Sequence, residues 1–323
     1  MAEDIEESKQ GLVLHRLYVP DAIGFHGSLL QYDDNKYICI YHNTYQHRIG
    51  SCFVDKDFKY IDGSNTEDLG ISYFIDPRTV KHNGKYYVST SRLHYGPETI
   101  HLWLLNITDK ITIDRSFVIA FSSIKEWPSY QKDREKNWTP WDYKGRFFYT
   151  YSLNPHRILE VDIEGDGTAK LIAETSWTGD LLWDKHEWVT PKYRLNTPPI
   201  QLNDGTYLST FHTMCMKSLS TPWHRIQPNH LLSYWTGFFQ FEGQPPFKVI
   251  KVSYKPFMTP NYILPEDWPF QYPPSGGNPF YPFSMMLRGD DVILNGGSNE
   301  VAVAYCTIPL GEILDSMREV KST

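Results

Sequence analysis

"TVKHNGKYYVSTSR", residues 79 to 92, reads as a strand, a two-residue turn and a second strand. Asn83-Gly84 is a pair that tolerates positive φ, and it lies between alternating β-branched, aromatic and polar residues, which is the signature of a β-hairpin. The same unit recurs as "LLQYDDNKYICIYH" (29 to 42), "PWDYKGRFFYTYS" (140 to 152), "PIQLNDGTYLSTFH" (199 to 212) and "MMLRGDDVILNGG" (285 to 297). The turns fall at Asp34-Asn35, Lys144-Gly145, Asp204-Gly205 and Gly289-Asp290. Further strand-like segments, such as "SCFVDKDF" and "IHLWLLNI", follow the hairpins. Repetition of this kind suits radial blades better than a sandwich, so the chain is expected to be all-β, a five-bladed β-propeller. Residues 1–323 then form a single propeller domain, with 1–12 a flexible N-terminal tail and 309–323 a C-terminal helix and tail. Leu310, Ile313, Leu314 and Met317 supply the apolar positions of that helix.

Composition narrows the partners. The 38 acidic and 31 basic residues leave a net charge of -7 without long runs of either sign. That excludes a basic footprint for nucleic acid and favours a small or neutral partner. The N-terminus "MAEDIEESKQ" is acidic and polar, unlike a secretory leader, and no apolar run approaches a membrane span. A soluble, cytoplasmic protein is expected, with no membrane partner, while self-association into a homo-oligomer stays open. Cys39, Cys52, Cys215 and Cys306 are scattered and read as reduced, packed thiols. No clustered His and carboxylate spacing suggests a metal, and no cofactor is expected.

In a propeller the first strand of each blade lines the central channel, so position within the repeat carries meaning. Counting back eight from the second residue of each of the first four turns reaches Gly27, Asp76, Asn137 and Thr197, expected to ring one mouth of the channel. A second ring comes from the ends of the following strands, where Tyr41, His42, Ser91, Arg92, Ser152, His156, Arg157 and His212 collect. Polar groups converging on one cavity mark a binding site. "EKNWTPWDYKGRFFYTYSLNPHRILEVD" (135 to 162) reinforces this, because it sets Lys136, Asn137, His156 and Arg157 at strand ends where a core needs neither cations nor an amide.

The residues at these positions resemble glycoside hydrolase family 130, the five-bladed β-mannoside phosphorylases, together with the related β-1,2-mannosyltransferases of protists. The resemblance runs over nearly the whole chain. "IDPR" (75 to 78) is similar to the family's acidic-DPR motif, "EKNWTPW" to its basic-Asn motif, and "NPHR" (154 to 157) to the segment that follows. "RLNTPPI" (194 to 200) and "FHT" (211 to 213) resemble its fourth-blade pattern, and "GGSNE" (296 to 300) its closing Tyr-Gly-x-x-Asp. Three departures stand out: Ile75 replaces an acid, Gly296 replaces the Tyr, and Glu300, or Asn299 in a shifted register, replaces the final Asp.

The resemblance implies Asp76 as general acid, protonating the leaving oxygen while a separate nucleophile attacks the opposite face with inversion. One enzyme carboxylic acid is enough when the nucleophile is an anion that needs no base. The bland alternative for Asp76 is an Asx-turn opening a strand. Lys136, Asn137, His212 and a basic side chain of "NPHR", His156 or Arg157, would bind inorganic phosphate through charge-assisted donors. Gly27, Arg78, Arg194, Thr197, Asn299 and Glu300 are the candidate substrate contacts, and Arg48 reads as a surface group. The implied reaction transfers a β-mannosyl residue between an oligosaccharide or other small acceptor and phosphate, to and from α-mannose 1-phosphate. A nucleotide-sugar-dependent β-mannosyltransferase and a catalytically silent sugar-binding propeller are the alternatives. A hydrolase fits less well, since water as nucleophile calls for a carboxylate base where this sequence sets cations. Trp127, Trp138, Trp183 and Trp188 either stack on sugar or pack between blades. "LPEDWPFQYPPSGGNPFYPF" (264 to 283) reads as a crossing into the last blade with no chemistry of its own.

Overall fold

The computed structural model describes residues 12–19, 24–43, 46–92, 100–119, 136–182, 193–216, 232–258, 280–298 and 302–323. The first strand among the described residues is the two-residue β1 (His15–Arg16), whose partner lies in the fifth blade. Blade one is the meander β2 (Gly24–Asp33), β3 (Lys36–Asn43) and β4 (Arg48–Asp55), extended on its outer side by isolated bridges at Tyr60, Thr66 and Ser72. Blade two is β5 (Phe74–His82), β6 (Lys85–Arg92), β7 (Ile100–Ile107) and β8 (Ile111–Val118). Blade three is β9 (Thr139–Tyr143), β10 (Arg146–Leu153), β11 (His156–Val161) and β12 (Ala169–Thr175), followed by the short β13 (Trp177–Thr178). In blade four the innermost position is shared by β14 (Arg194–Leu195) and β15 (Ile200–Gln201). Both pair with β16 (Tyr207–Met216), and β17 (Leu232–Phe241) and β18 (Val249–Ser253) complete the blade. Blade five is β19 (Phe280–Arg288), β20 (Asp291–Ser298) and β21 (Ala302–Pro309), with β1 as its outer strand. The five antiparallel blades make a five-bladed β-propeller.

All five expected turns join first to second strands. Asn83 and Gly84, and Lys144 and Gly145, have positive φ at both central positions, the geometry whose twist matches a hairpin. Each adjacent pair of blades shares its own apolar cluster. Ile38, Ile40 and Phe53 meet Val88, Leu105 and Ile111 between blades one and two. Equivalent clusters lie between blades two and three, three and four, and four and five. A fifth, with Leu29, Tyr37 and Cys39 against Ile293 and Val303, closes the ring between blades five and one. Burial of this kind is the dominant favourable term in folding, and here it sits between blades, leaving the axis to polar groups. Trp138 packs into one of these clusters, 4.9 Å from Tyr151, whereas Trp127, Trp183 and Trp188 lie outside the described residues.

The C-terminal expectation needs correction. The helix α1 (Leu310–Asp315) is a short one, and Met317 begins β22 (Met317–Glu319), which adds to blade four beside β18. The last strand, β23 (Lys321–Ser322), pairs with β13 of blade three. These residues are a clamp across two blades rather than a tail. At the other end Leu12 is buried in the cluster between blades four and five, although it falls within the stretch expected to be flexible.

Candidate active site

The first strands are joined to one another by side chains. Ser28 and Thr79 hydroxyls lie 2.8 Å apart across blades one and two, and Leu29 N–H donates to Ser284 of blade five at 2.8 Å. At one end of these strands the ladders break: register shifts interrupt β2 between Gly24 and His26, β5 between Ile75 and Arg78, and β19 between Pro282 and Ser284. Bulges of this kind re-aim side chains, often beside active sites. Asp76 sits in such a break with φ 58, and Asn137, just before β9, has φ 67. Asp and Asn tolerate this left-handed backbone better than most residues, which is a local reason for their identity here.

Arg78 organises the group. It is buried, and its guanidinium donates from Nε to the Asn196 carbonyl (2.7 Å), from Nη1 to the Asp76 carbonyl (3.1 Å) and from Nη2 to Asn137 Oδ1 (3.2 Å). It also stacks over Phe283 at 5.2 Å. One side chain therefore ties the inner ends of blades two, three, four and five. Arg78, expected as a sugar contact, is instead a brace whose three hydrogen bonds go to protein atoms.

Asp76 is almost wholly buried, and His26 Nδ1 lies 3.1 Å from its Oδ1. Burial pushes the carboxyl up, but the hydrogen bond and charge of His26, then Arg78 and Lys136, outweigh it. The net result holds Asp76 well below the usual carboxylate range. Across the channel Tyr281 Oη lies 3.0 Å from His212 Nε2 and 3.2 Å from Asn137 Oδ1. His212 Nδ1 is hydrogen-bonded to Asn196 Oδ1, so that nitrogen carries the proton and Nε2 accepts. Burial first, then Arg194 and Arg78, pushes His212 well below its ordinary value. His212 is accordingly a neutral donor and acceptor, not the cation that the phosphate reading assumed. Lys136 and half-buried Arg194 supply the positive charge: both act on His212, Arg194 stands opposite it in the ladder, and Lys136 also acts on Asp76. Asn196 Nδ2 is a buried donor with no partner among the described residues, beside the same histidine.

The structure thus brings together Asp76, Arg78, Lys136, Asn137, Arg194 and His212. Among the other described candidates, His156 and Arg157 lie apart from this group. His156 is wholly buried on the third strand of blade three, with Nδ1 2.8 Å from the Phe247 carbonyl and its ring against Phe239 and Phe241. Burial pushes its pKa down to about 4, and it belongs to the packing between blades three and four. Arg157 on the same strand pairs with Glu174 of β12 at 2.6 Å. Thr197 is buried, its hydroxyl 3.0 Å from that of Thr210. Gly27 is needed for close approach: a Cβ there would lie 2.3 Å from Val303 of blade five. Arg48 pairs with Asp68 at the surface. Asn299 and Glu300 lie outside the described residues.

His26, Asn196, Tyr281 and Phe283 were not singled out by the sequence reading, and Tyr281 and Phe283 correct the view that the Pro-rich crossing has no chemistry. The signal was present. The count of eight, carried to the fifth turn at Gly289-Asp290, lands on Pro282 between those two aromatics, and His26 precedes the first counted position. A groove of about 580 Å³ lies elsewhere, at the far ends of β5 and β10, lined among others by His82, Arg146 and Glu160. It contains none of the Asp76 group. Among the described residues, no cluster of three His, Cys, Asp or Glu could hold a metal ion, and no helix is long and apolar enough to cross a membrane.

No family model matches the chain, and no curated protein is similar to it in sequence. Solved structures share its fold. A mannose phosphorylase from Leishmania mexicana, MPT-4, in complex with phosphate is 13% identical, over 95% of this chain and 91% of that one, with a TM-score of 0.56. A β-1,2-mannobiose phosphorylase from Listeria innocua, bound to β-1,2-mannobiose, is 12% identical over 94% and 92%, with a TM-score of 0.56. A glycosyl hydrolase from Bacteroides ovatus is 13% identical over 88% and 84%, with a TM-score of 0.57. At these identities the likeness is one of fold: this chain is built on the same five-bladed propeller as mannoside phosphorylases and glycoside hydrolases.

Proposed function

We propose that this protein is an inverting β-mannoside phosphorylase of the glycoside hydrolase family 130 type, taking a β-linked mannoside and inorganic phosphate to α-mannose 1-phosphate and a shortened acceptor, and back. The observation that carries the reading is the grouping, among the described residues, of a single carboxyl group, Asp76, with the half-buried cations Lys136 and Arg194 and the buried amide donor of Asn196, which has no described partner. Phosphate held by those donors attacks the anomeric carbon. The glycosidic C–O bond breaks on the opposite face, and the proton of Asp76 goes to the departing oxygen. With no ligand bound, His26, then Arg78 and Lys136, keep Asp76 ionised. A phosphate dianion beside Lys136 offsets part of that field and raises the protonated fraction, so the nucleophile helps to load the acid. In the synthetic direction the ionised carboxylate is ready to take the acceptor's proton. The phosphate and mannobiose bound by the two phosphorylases of this fold are consistent with both halves of the reaction. The buried thiols of Cys39, Cys52 and Cys306, none of them in a disulfide, suit a reducing, cytoplasmic setting.

The test is product analysis with β-1,2-mannobiose. α-Mannose 1-phosphate should form only when phosphate is present. Lys136→Ala should raise the phosphate concentration needed by about 10–150-fold, the cost of losing one charge-assisted donor. Free mannose formed equally fast without phosphate would mean a hydrolase, and turnover confined to a nucleotide-linked mannose would mean a transferase; either overturns the reading.

A further inference from the structure

Four rings lead away from Asp76 toward solvent. His26, beside the carboxylate, has its ring centroid 6.0 Å from that of His42; His42 is 6.4 Å from His47, and His47 is 6.2 Å from Tyr73, with a 20° angle between the last two planes. Exposure rises from His42 outward. His42 is buried, His47 is exposed, and the Tyr73 side chain is 53% exposed, among the largest exposed apolar groups described. The two outer residues are held by backbone: Tyr73 N–H donates to the His47 carbonyl at 2.9 Å, and the residues have φ 64 and 50. Left-handed backbone at a bulky residue costs free energy and persists where the surroundings impose it, which is common at ligand clamps. Between the outer pair and the carboxylate, both ring nitrogens of His42 are buried without a partner among the described residues. Burial pushes that histidine down to about 3, so it presents a neutral imidazole.

We infer that Tyr73, His47 and His42 form a shelf that seats a further sugar ring of a β-linked oligomannoside, beyond the two rings joined by the bond that is cleaved. The inference rests on the phosphorylase reading for its direction. Inversion sets phosphate and the departing sugar on opposite faces of the reacting ring. Lys136 and Arg194 belong to blades three and four, whereas the shelf lies on blades one and two, on the side of the acid that protonates the departing oxygen. A pyranose offers a C–H face to an aromatic ring, matching an exposed tyrosine stacked on histidine. A nucleoside diphosphate would stack its base equally well, but its phosphates would then need cations on the shelf side of Asp76. On that side Arg78 makes three hydrogen bonds to protein atoms and Arg48, next to His47, pairs with Asp68, whereas Lys136 and Arg194 lie on the other side.

The experiment compares β-1,2-mannobiose with β-1,2-mannotriose, by kcat/KM and, independently of turnover, by calorimetric titration. Tyr73→Asn removes the ring while keeping a residue that accepts positive φ, and Tyr73→Phe keeps the ring. In Tyr73→Asn the preference for the triose over the biose should fall about 3–10-fold in both measurements, the scale of one stacking contact. Tyr73→Phe should retain it. An unchanged preference in Tyr73→Asn, or a nucleotide-linked mannose whose affinity falls in its place, overturns the shelf. If neither sugar is turned over but the triose binds more tightly in a Tyr73-dependent way, the shelf stands and the phosphorylase reading falls.

Discussion

Asp76 stands in a conflict of forces, and the outcome has a measurable sign. Desolvation favours its neutral form, while His26, Arg78 and Lys136 favour the carboxylate and prevail. Asp76→Asn should leave the far-ultraviolet spectrum intact and lower kcat by about 10²–10⁴-fold, as expected for loss of a general acid. The same variant tests the electrostatics. A carboxyl whose folded-state pKa is depressed contributes stability that is fully present above its ordinary value of 3.8 and is lost as pH falls toward the folded-state value. The stability advantage of the wild-type protein over Asp76→Asn, read from urea midpoints, should therefore narrow as pH is lowered from about 6 to about 3. An advantage that grew on acidification would show that burial, not the cations, dominates this site.

Blades were legible in the sequence because each carries its own turn and its own alternation, and those signals are local. Inner-strand positions were legible where the repeat register is kept, which is how Asp76 and Asn137 were found. His156 was misplaced because a strand-end histidine looks the same in sequence whether it faces the channel or the neighbouring blade. Only the fold sets its ring against Phe239 and Phe241. Tyr281 was missed because it lies next to the break in β19, in a stretch rich in Pro and Gly that reads as a connection. That break also explains Gly296, which stands where the motif that this stretch resembles has Tyr. A Cβ at Gly296 would lie 1.9 Å from the Tyr281 carbonyl oxygen, a contact with backbone that no rotamer change relieves. Gly296→Ala should displace β19, destabilise the protein by roughly 1–3 kcal/mol or more and lower activity through Tyr281. Calorimetry and kinetics on the one variant check it, and wild-type values for both would refute the close approach.

At the scale of the molecule, the ring is fastened at both ends of the chain, by β1 on β21 and by β22 and β23 across blades four and three. The C-terminal fastening is far in sequence from every site residue described, so stability and chemistry should separate there. Met317 is buried beside Ile308 and Ile313, and Met317→Ala should cost about 2–5 kcal/mol by leaving a cavity. Below the new melting transition, kcat should be preserved. A Met317 variant of normal stability would mean that the clamp is ornamental, and one that folds normally but turns over slowly would tie the outer edge of blade four to the channel.

The reach of Arg78 sets a timetable for synthesis. Its partners lie 59 residues away at Asn137 and 118 away at Asn196, and Phe283 comes later still. Chains leave the ribosome at about 5–20 residues per second, so the guanidinium waits many seconds in water before the groups that cover it exist. During that wait it remains a hydrated surface cation, and blades one and two can form without meeting the cost of burying it. Dehydration of the charge is deferred to the moment the last blade docks. Activity should then appear in a nascent-chain experiment as a single late event, after the fifth blade has emerged, and not as a gradual increase with chain length.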